Sequence, residues 1–88
     1  MGVSRYSIEL RPAAAKALRK IDPQDVARLR GAIALLAVDP RPPGAEALQG
    51  RPGYRVRVGR YRIIYTIDDG VLLVVIVSLG QRQDVYKP

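Results

Sequence analysis

Between positions 51 and 62 the chain carries five arginines, Arg51, Arg55, Arg57, Arg60 and Arg62, and no acid. A guanidinium is planar, permanently charged and fork-shaped, so a cluster of them is suited to holding phosphate oxygens two at a time. The residues around them alternate: Tyr54, Val56 and Val58, then Tyr61, Ile63 and Tyr65. That period predicts two strands joined by a two-residue turn at Gly59-Arg60. With this turn, position 58 opposes 61, 57 opposes 62 and 55 opposes 64, and opposed residues share a face of the sheet. Arg57 and Arg62 become cross-strand neighbours, with Arg55 two residues along and the aromatic and aliphatic residues on the other face. Like charges so placed repel unless something negative fills the space. Two readings of the cluster stand: a phosphate-binding face, and a solvated cationic surface that keeps a small protein soluble. The first depends on the turn, because a slip of one residue would send Arg62 to the opposite side.

The rest of the composition narrows the chemistry further. The chain has no cysteine and no histidine. Disulfide scaffolds, thiol nucleophiles, zinc–thiolate sites and every Ser-His-Asp or Cys-His arrangement are therefore excluded. No metal site and no small-molecule cofactor are expected. Tyr6, Tyr54, Tyr61 and Tyr65 fall at inward positions and read as core. Tyr86 differs, since it follows Gly80-Gln81-Arg82-Gln83-Asp84 near the chain end. It reads either as an aromatic plug on a terminal strand or as a functional phenol.

Eighty-eight residues suit one small domain, 1–88, and leave no room for two. With 48% hydrophobic and 26% charged residues the composition is that of a globular chain. Fifteen cations against eight acids give a formal charge of +7, and twelve of the cations are arginine. A small basic domain has polyanions as its natural partners. The longest apolar run, Val71–Val77, is too short to span a bilayer, and the first ten residues already carry Arg5 and Glu9. No membrane is expected, and the chain reads as cytoplasmic.

The elements that position these residues follow from period and punctuation. Tyr6, Ile8 and Leu10 alternate with Ser7 and Glu9, which predicts a strand over Ser4–Leu10. Pro12 opens a first helix to about Lys20, with Ala14, Leu18 and Ile21 inward. Asp22-Pro23 opens a second, on which Val26, Leu29, Ile33 and Leu36 share one face, and Asp39-Pro40 ends it. Residues 39–53 are rich in proline and glycine and read as a loop pinned by Leu48. Asp68-Asp69-Gly70 is a second turn. Val71–Leu79 then reads as a central strand buried on both faces and broken by Gly80, and Asp84–Tyr86 as a short last strand. The result is an α+β fold, β-α-α-β-β-β with a short terminal β, in which two helices pack on a mainly antiparallel, twisted sheet.

This order of elements, together with Tyr54-Arg55-Val56-Arg57-Val58-Gly59-Arg60-Tyr61-Arg62-Ile63-Ile64-Tyr65 and Gly80-Gln81-Arg82-Gln83-Asp84-Val85-Tyr86, resembles the RelE toxins of the RelE/ParE superfamily. The similarity spans nearly the whole chain and includes Asp39-Pro40 and Leu48-Gln49-Gly50. It implies a toxin of a bacterial type II toxin–antitoxin system that enters the A site of the 70S ribosome. There it would cut mRNA by attack of a ribose 2′-oxygen on the adjacent phosphate, without a metal. Carried over by position, Arg55 and Arg57 fall on the two basic positions of the strand. Arg62 falls on the arginine after the tyrosine, Arg82 on the late arginine, and Tyr86 on the C-terminal tyrosine.

The chemistry suits these roles. Fixed guanidinium donors stabilise a phosphorane-like transition state without proton transfer. With no histidine, the proton acceptor must be another group; the sequence does not fix it, and Tyr86 is the candidate, its ordinary pKa near 10 being open to lowering by neighbouring arginines. Arg82 would hydrogen-bond or protonate the leaving oxygen. Family members often carry lysine where this chain has Arg55 and Arg57. An arginine cannot be tuned toward a base, so clamping is kept and the base role shifts to Tyr86. The chain ends at Pro88, so no helix is expected beyond that tyrosine.

The resemblance also implies a protein partner, a cognate antitoxin whose acidic, partly disordered segment folds across the arginine face and the helices. Two other functions share these residues. One is a ParE-like toxin that poisons DNA gyrase on the same fold. The other is a non-catalytic nucleic-acid-binding module, which would bind with a steep salt dependence and leave the strand intact.

Overall fold

Prolines begin both helices and help to stop the second. The computed structural model describes residues 5–81. Its elements are β1 (Ser7–Leu10), α1 (Pro12–Arg19), α2 (Pro23–Val38), β2 (Glu46–Ala47), β3 (Tyr54–Val58), β4 (Tyr61–Asp68) and β5 (Leu73–Gln81). Pro12 and Pro23 lie in the first turn of α1 and α2, where a missing N–H leaves no bond unmade. Asp22 stands at the N-cap of α2. Its carboxylate makes no capping bond, and its carbonyl instead accepts the Asp25 and Val26 N–H groups at 2.9 Å. Asp39, forced toward extended backbone by Pro40, ends α2 with φ −141° and ψ 98°.

The strands form one sheet in the order β1-β5-β4-β3-β2. β1 runs parallel to β5, and the other three pairings are antiparallel. The α+β architecture with two helices on a mainly antiparallel sheet is thus as expected. Asp84–Tyr86 lies outside the described residues. β1 starts at Ser7 rather than Ser4. β2, a two-residue strand inside the proline-rich segment, was not anticipated. It is held close by Gly53, whose φ of +128° favours glycine and whose carbonyl accepts the Leu48 N–H at 2.9 Å. A Cβ on Gly53 would meet both the Leu48 side chain and the Tyr65 carbonyl oxygen at 3.0 Å.

The core lies between the helices and one face of the sheet. Ala14, Leu29, Ile33 and Leu36 pack with Tyr61, Ile63, Tyr65, Val74, Ile76 and Leu79. Leu18 and Ile21 flank this cluster and are half-buried. The strand buried on both faces is β4, in which Tyr61 to Tyr65 are all buried. The expectation placed β5 in that role, and the structure corrects it. Burial in β5 falls on Val74, Ile76 and Leu79, while Val77 is 37% exposed. The strand carries a bulge. Ile64 pairs with Ser78 but Tyr65 pairs with Ile76, so Val77 is an extra residue and Leu79, not Ser78, joins Val74 and Ile76 on the face toward the helices. β5 begins at Leu73 because Val71 and Leu72 belong to the connection, Leu72 taking a left-handed φ of 53°. Gly80 does not break the strand, and it stays in the ladder opposite Arg62.

At the end of the sheet away from the β3–β4 turn, a polar network ties three loops together. Arg41 holds Asp69 through two nitrogens at 3.3 and 2.9 Å and donates its Nε to the Tyr54 hydroxyl at 3.2 Å. The Tyr6 hydroxyl donates to the same Asp69 carboxylate at 2.6 Å. These bonds from Arg41 and Tyr6 hold the Asp69 carboxyl below the ordinary carboxylate range. A depressed pKa means the native state binds its proton more weakly than the unfolded chain does. The stabilisation is therefore present above about pH 4 and is lost as pH falls through the folded pKa. Asp69→Asn is expected to lower the melting temperature at pH 7. The gap from wild type should narrow as pH falls toward about 3, as followed by thermal melts across that range.

Candidate nucleic-acid interface

The two-residue turn at Gly59-Arg60 sets the geometry of the basic face. Gly59 adopts φ 60°, which glycine reaches without strain, and β3 and β4 pair as Val58 with Tyr61, Arg57 with Arg62 and Arg55 with Ile64. Arg55, Arg57 and Arg62 therefore share the face turned away from the helices, in the register expected from the alternation. On β5 the residue opposite Arg62 is Gly80. The row across three strands reads cation, cation, no side chain. Gly80 brings no side chain to the position directly beside Arg62.

The cations on this face are held differently. Arg62 is 6% exposed, the one charged residue buried among those described. No buried side-chain nitrogen or oxygen in this set lacks a hydrogen-bond partner. Burial on this scale restricts the rotamers of the Arg62 side chain. Arg57, its neighbour on β3, is exposed. Arg55 donates its Nε to Glu46 Oε1 at 3.0 Å across the β2–β3 pair. This carboxylate relieves part of the repulsion that, from the sequence, only an outside anion was expected to relieve.

The remaining predicted residues spread out from this centre. Arg51 is exposed and lines a cleft of about 460 Å³ with Glu46, Gln49 and Arg55. Arg60, at the turn, leans toward α2 and donates to Asp25 Oδ2 at 3.3 Å. The Tyr61 hydroxyl donates to the same carboxylate oxygen at 2.9 Å. Arg60 and Tyr61 also line a recess of about 260 Å³ with Arg57 and Arg62, so Arg60 stands at its lip. Arg82 and Tyr86 lie outside the described residues. Gln81, the last of those described, pairs with Tyr61. Within this recess, guanidinium groups offer positive donors to a phosphate and offer no proton acceptor.

Sequence reasoning missed Glu46 and Asp25 as partners and Gly80 as the residue opposite Arg62. A two-residue strand has no period to read, and Asp25 reaches Arg60 only once α2 packs at the end of the hairpin. The signal for Gly80 was present in its place on the strand that follows Arg62 around a hairpin, but the bulge at Val77 hides the register.

Two helices on a five-stranded sheet, with an arginine-bearing hairpin at its centre, define a RelE-like toxin fold. A family profile described as ParE toxin of type II toxin–antitoxin system, parDE, matches residues 8–86. The chain belongs to this family, within the RelE/ParE toxin superfamily. Among solved structures it is similar to the toxin–antitoxin complex RelBE2 from Mycobacterium tuberculosis. The TM-score is 0.80 at 26% identity, over 91% of this chain and 94% of that one. The isolated E. coli RelE toxin gives 0.76 at 26% identity, over 92% and 90% of the two chains. YafQ from E. coli strain BL21(DE3) gives 0.77 at 19% identity, over 93% and 99%. Among curated proteins no relative matches. No helix among the described residues is long and apolar enough to cross a membrane.

Proposed function

We propose that this toxin is a ribosome-dependent mRNA endonuclease, and the observation that carries the reading is the paired Arg57 and Arg62 beside Gly80. The reaction is displacement at phosphorus. The 2′-oxygen of one nucleotide loses its proton and attacks the adjacent phosphate, and the bond to the 5′-oxygen of the next nucleotide breaks. A 2′,3′-cyclic phosphate remains on one fragment, and the departing 5′-oxygen takes a proton. Arg62, restricted by burial, and Arg57 hold the non-bridging oxygens and stabilise the charge that builds on them. Arg55 contributes field and holds the upstream phosphate. On the RelE resemblance Tyr86 takes the 2′-hydroxyl proton and Arg82 serves the leaving oxygen. The ribosome supplies in-line geometry, which a solvent-open recess does not impose by itself.

The cognate antitoxin is the protein partner in this reading, as the similarity to a toxin–antitoxin complex supports. It silences the toxin by covering the arginine face. A second reading rests on the family profile, which carries the ParE name: a gyrase inhibitor on the same fold. Tyr86→Phe separates the two. If the phenol is the base, its loss slows mRNA cleavage by about 10²–10⁴-fold and leaves ribosome binding intact. A gyrase inhibitor would keep its toxicity in the same variant. Pulse-labelling of induced cells checks this directly, because the nuclease stops protein synthesis first and the gyrase inhibitor stops DNA synthesis first.

A further inference from the structure

The basic track does not end at the Arg57–Arg62 recess. Arg60 and Tyr61 line that recess and also a second cleft of about 380 Å³, around the end of the sheet between α1 and the last residues of β5. The second cleft is built of two kinds of surface. Ile21 and Leu79 give it an apolar wall, while Lys20, Asp22 and Gln81 bring one cation, one carboxylate and one amide to its rim. Arg60 is poised at the junction. It donates to Asp25, its guanidinium carbon lies 5.5 Å from the Tyr61 ring centroid, and 67% of its side chain remains in solvent. Its bonds to Asp25 and Tyr61 both use a single NH₂ nitrogen, which leaves its other donors available to a ligand.

We propose that this cleft binds the nucleotide flanking the scissile phosphate and prefers a base with an exocyclic amino group, an inference that rests on the nuclease reading above. Its volume falls in the range of small-ligand sites and suits one nucleoside. An apolar wall takes the face of a base, which every base offers. The rim discriminates. A carboxylate accepts a hydrogen bond from the exocyclic amino group of cytosine, adenine or guanine, which uracil lacks, and an amide offers a donor and an acceptor to the same edge. Lys20 and Arg60 lie where the flanking phosphates must pass if the strand runs from one cleft to the other. Asp25 does not compete for the base, because it is not part of the lining of this cleft.

The test is fluorescence anisotropy with the intact chain and 2′-O-methyl oligoribonucleotides, which cannot be cleaved. A trinucleotide is compared with tetranucleotides extended by cytidine, adenosine or uridine at either end. The expected result is a gain of about fivefold or more for cytidine or adenosine at one end, and less than about twofold for uridine there. In Asp22→Ala and in Gln81→Ala the gains for cytidine and adenosine should fall to that for uridine, with circular dichroism showing both variants folded. Equal gains for all three bases, or a cytidine gain that survives both substitutions, would overturn the proposal while leaving the nuclease reading in place. Trinucleotide binding that is indifferent to Arg57→Gln and Arg62→Gln together would overturn the RNA reading itself, and the subsite with it.

Discussion

Arg62→Ala is expected to slow cleavage of ribosome-bound mRNA by about 10²–10³-fold, the typical effect of removing one preorganised donor from a developing oxyanion. The expectation follows from two observations. Arg62 is buried, so its side chain reaches the transition state with less rotamer freedom left to lose. It also faces Arg57 across a direct register pair, and in the proposed reaction both hold one phosphate. Arg57→Ala should cost less, because an exposed arginine is less firmly placed. The double variant is the sharper measurement. If both guanidiniums hold the same phosphate, their effects fall well short of multiplying, since either loss already spoils the shared geometry. Independent sites would give the full product. Arg62→Lys should recover only part of the rate, because an ammonium restores charge but not the two-pronged hold. Melting curves accompany every variant, since Arg62 is also part of the packed sheet.

The second large effect concerns the scaffold. Tyr65 is fully buried, stacks on Tyr54 with ring centroids 5.9 Å apart, and donates its hydroxyl to the Pro40 carbonyl at 2.7 Å. Tyr65→Ala removes a large core side chain and should cost about 3–5 kcal/mol. A chain of this size holds only about 4–13 kcal/mol in total, so a large share of the stability would go. Tyr65→Phe keeps the ring and orphans a buried carbonyl, at about 1–3 kcal/mol. The hydroxyl also carries a pH signature. Burial pushes its pKa up to about 12, so the folded state keeps a proton that the unfolded chain releases near pH 10. Stability from this group is whole below about pH 10 and drains away as pH rises toward 12. Tyr65→Phe should flatten that alkaline loss, as read from urea midpoints at about pH 8 and about pH 11.

These two sites show how far the residues spoke for themselves. The Gly59-Arg60 turn and strict alternation around it set the pairing of Arg57 with Arg62, because one face of that hairpin must meet the helices and a slip would bury charge. Local punctuation also placed both helices, through Pro12, Pro23 and Asp39-Pro40. What stayed hidden depends on packing at a distance. The parallel pairing of β1 with β5 joins the two ends of the chain, and nothing local encodes it. Glu46 meets Arg55 through a strand too short to show a period, and Arg41 meets Asp69 across 28 residues. The apolar run at Val71–Val77 looked doubly buried because composition cannot reveal that the helices cover one face of β5 and leave Val77 on the other. Arg82 and Tyr86, the positions assigned by family resemblance, lie outside the described residues, so their roles rest on chemistry and on mutation.

Primer extension on mRNA in purified, programmed ribosomes, with and without this toxin, tests the nuclease reading most directly. New 5′ ends within the A-site codon, absent when ribosomes are omitted and lost in Arg62→Ala, are the predicted result. Intact mRNA from folded protein, with gyrase supercoiling inhibited by the same preparation, would contradict it.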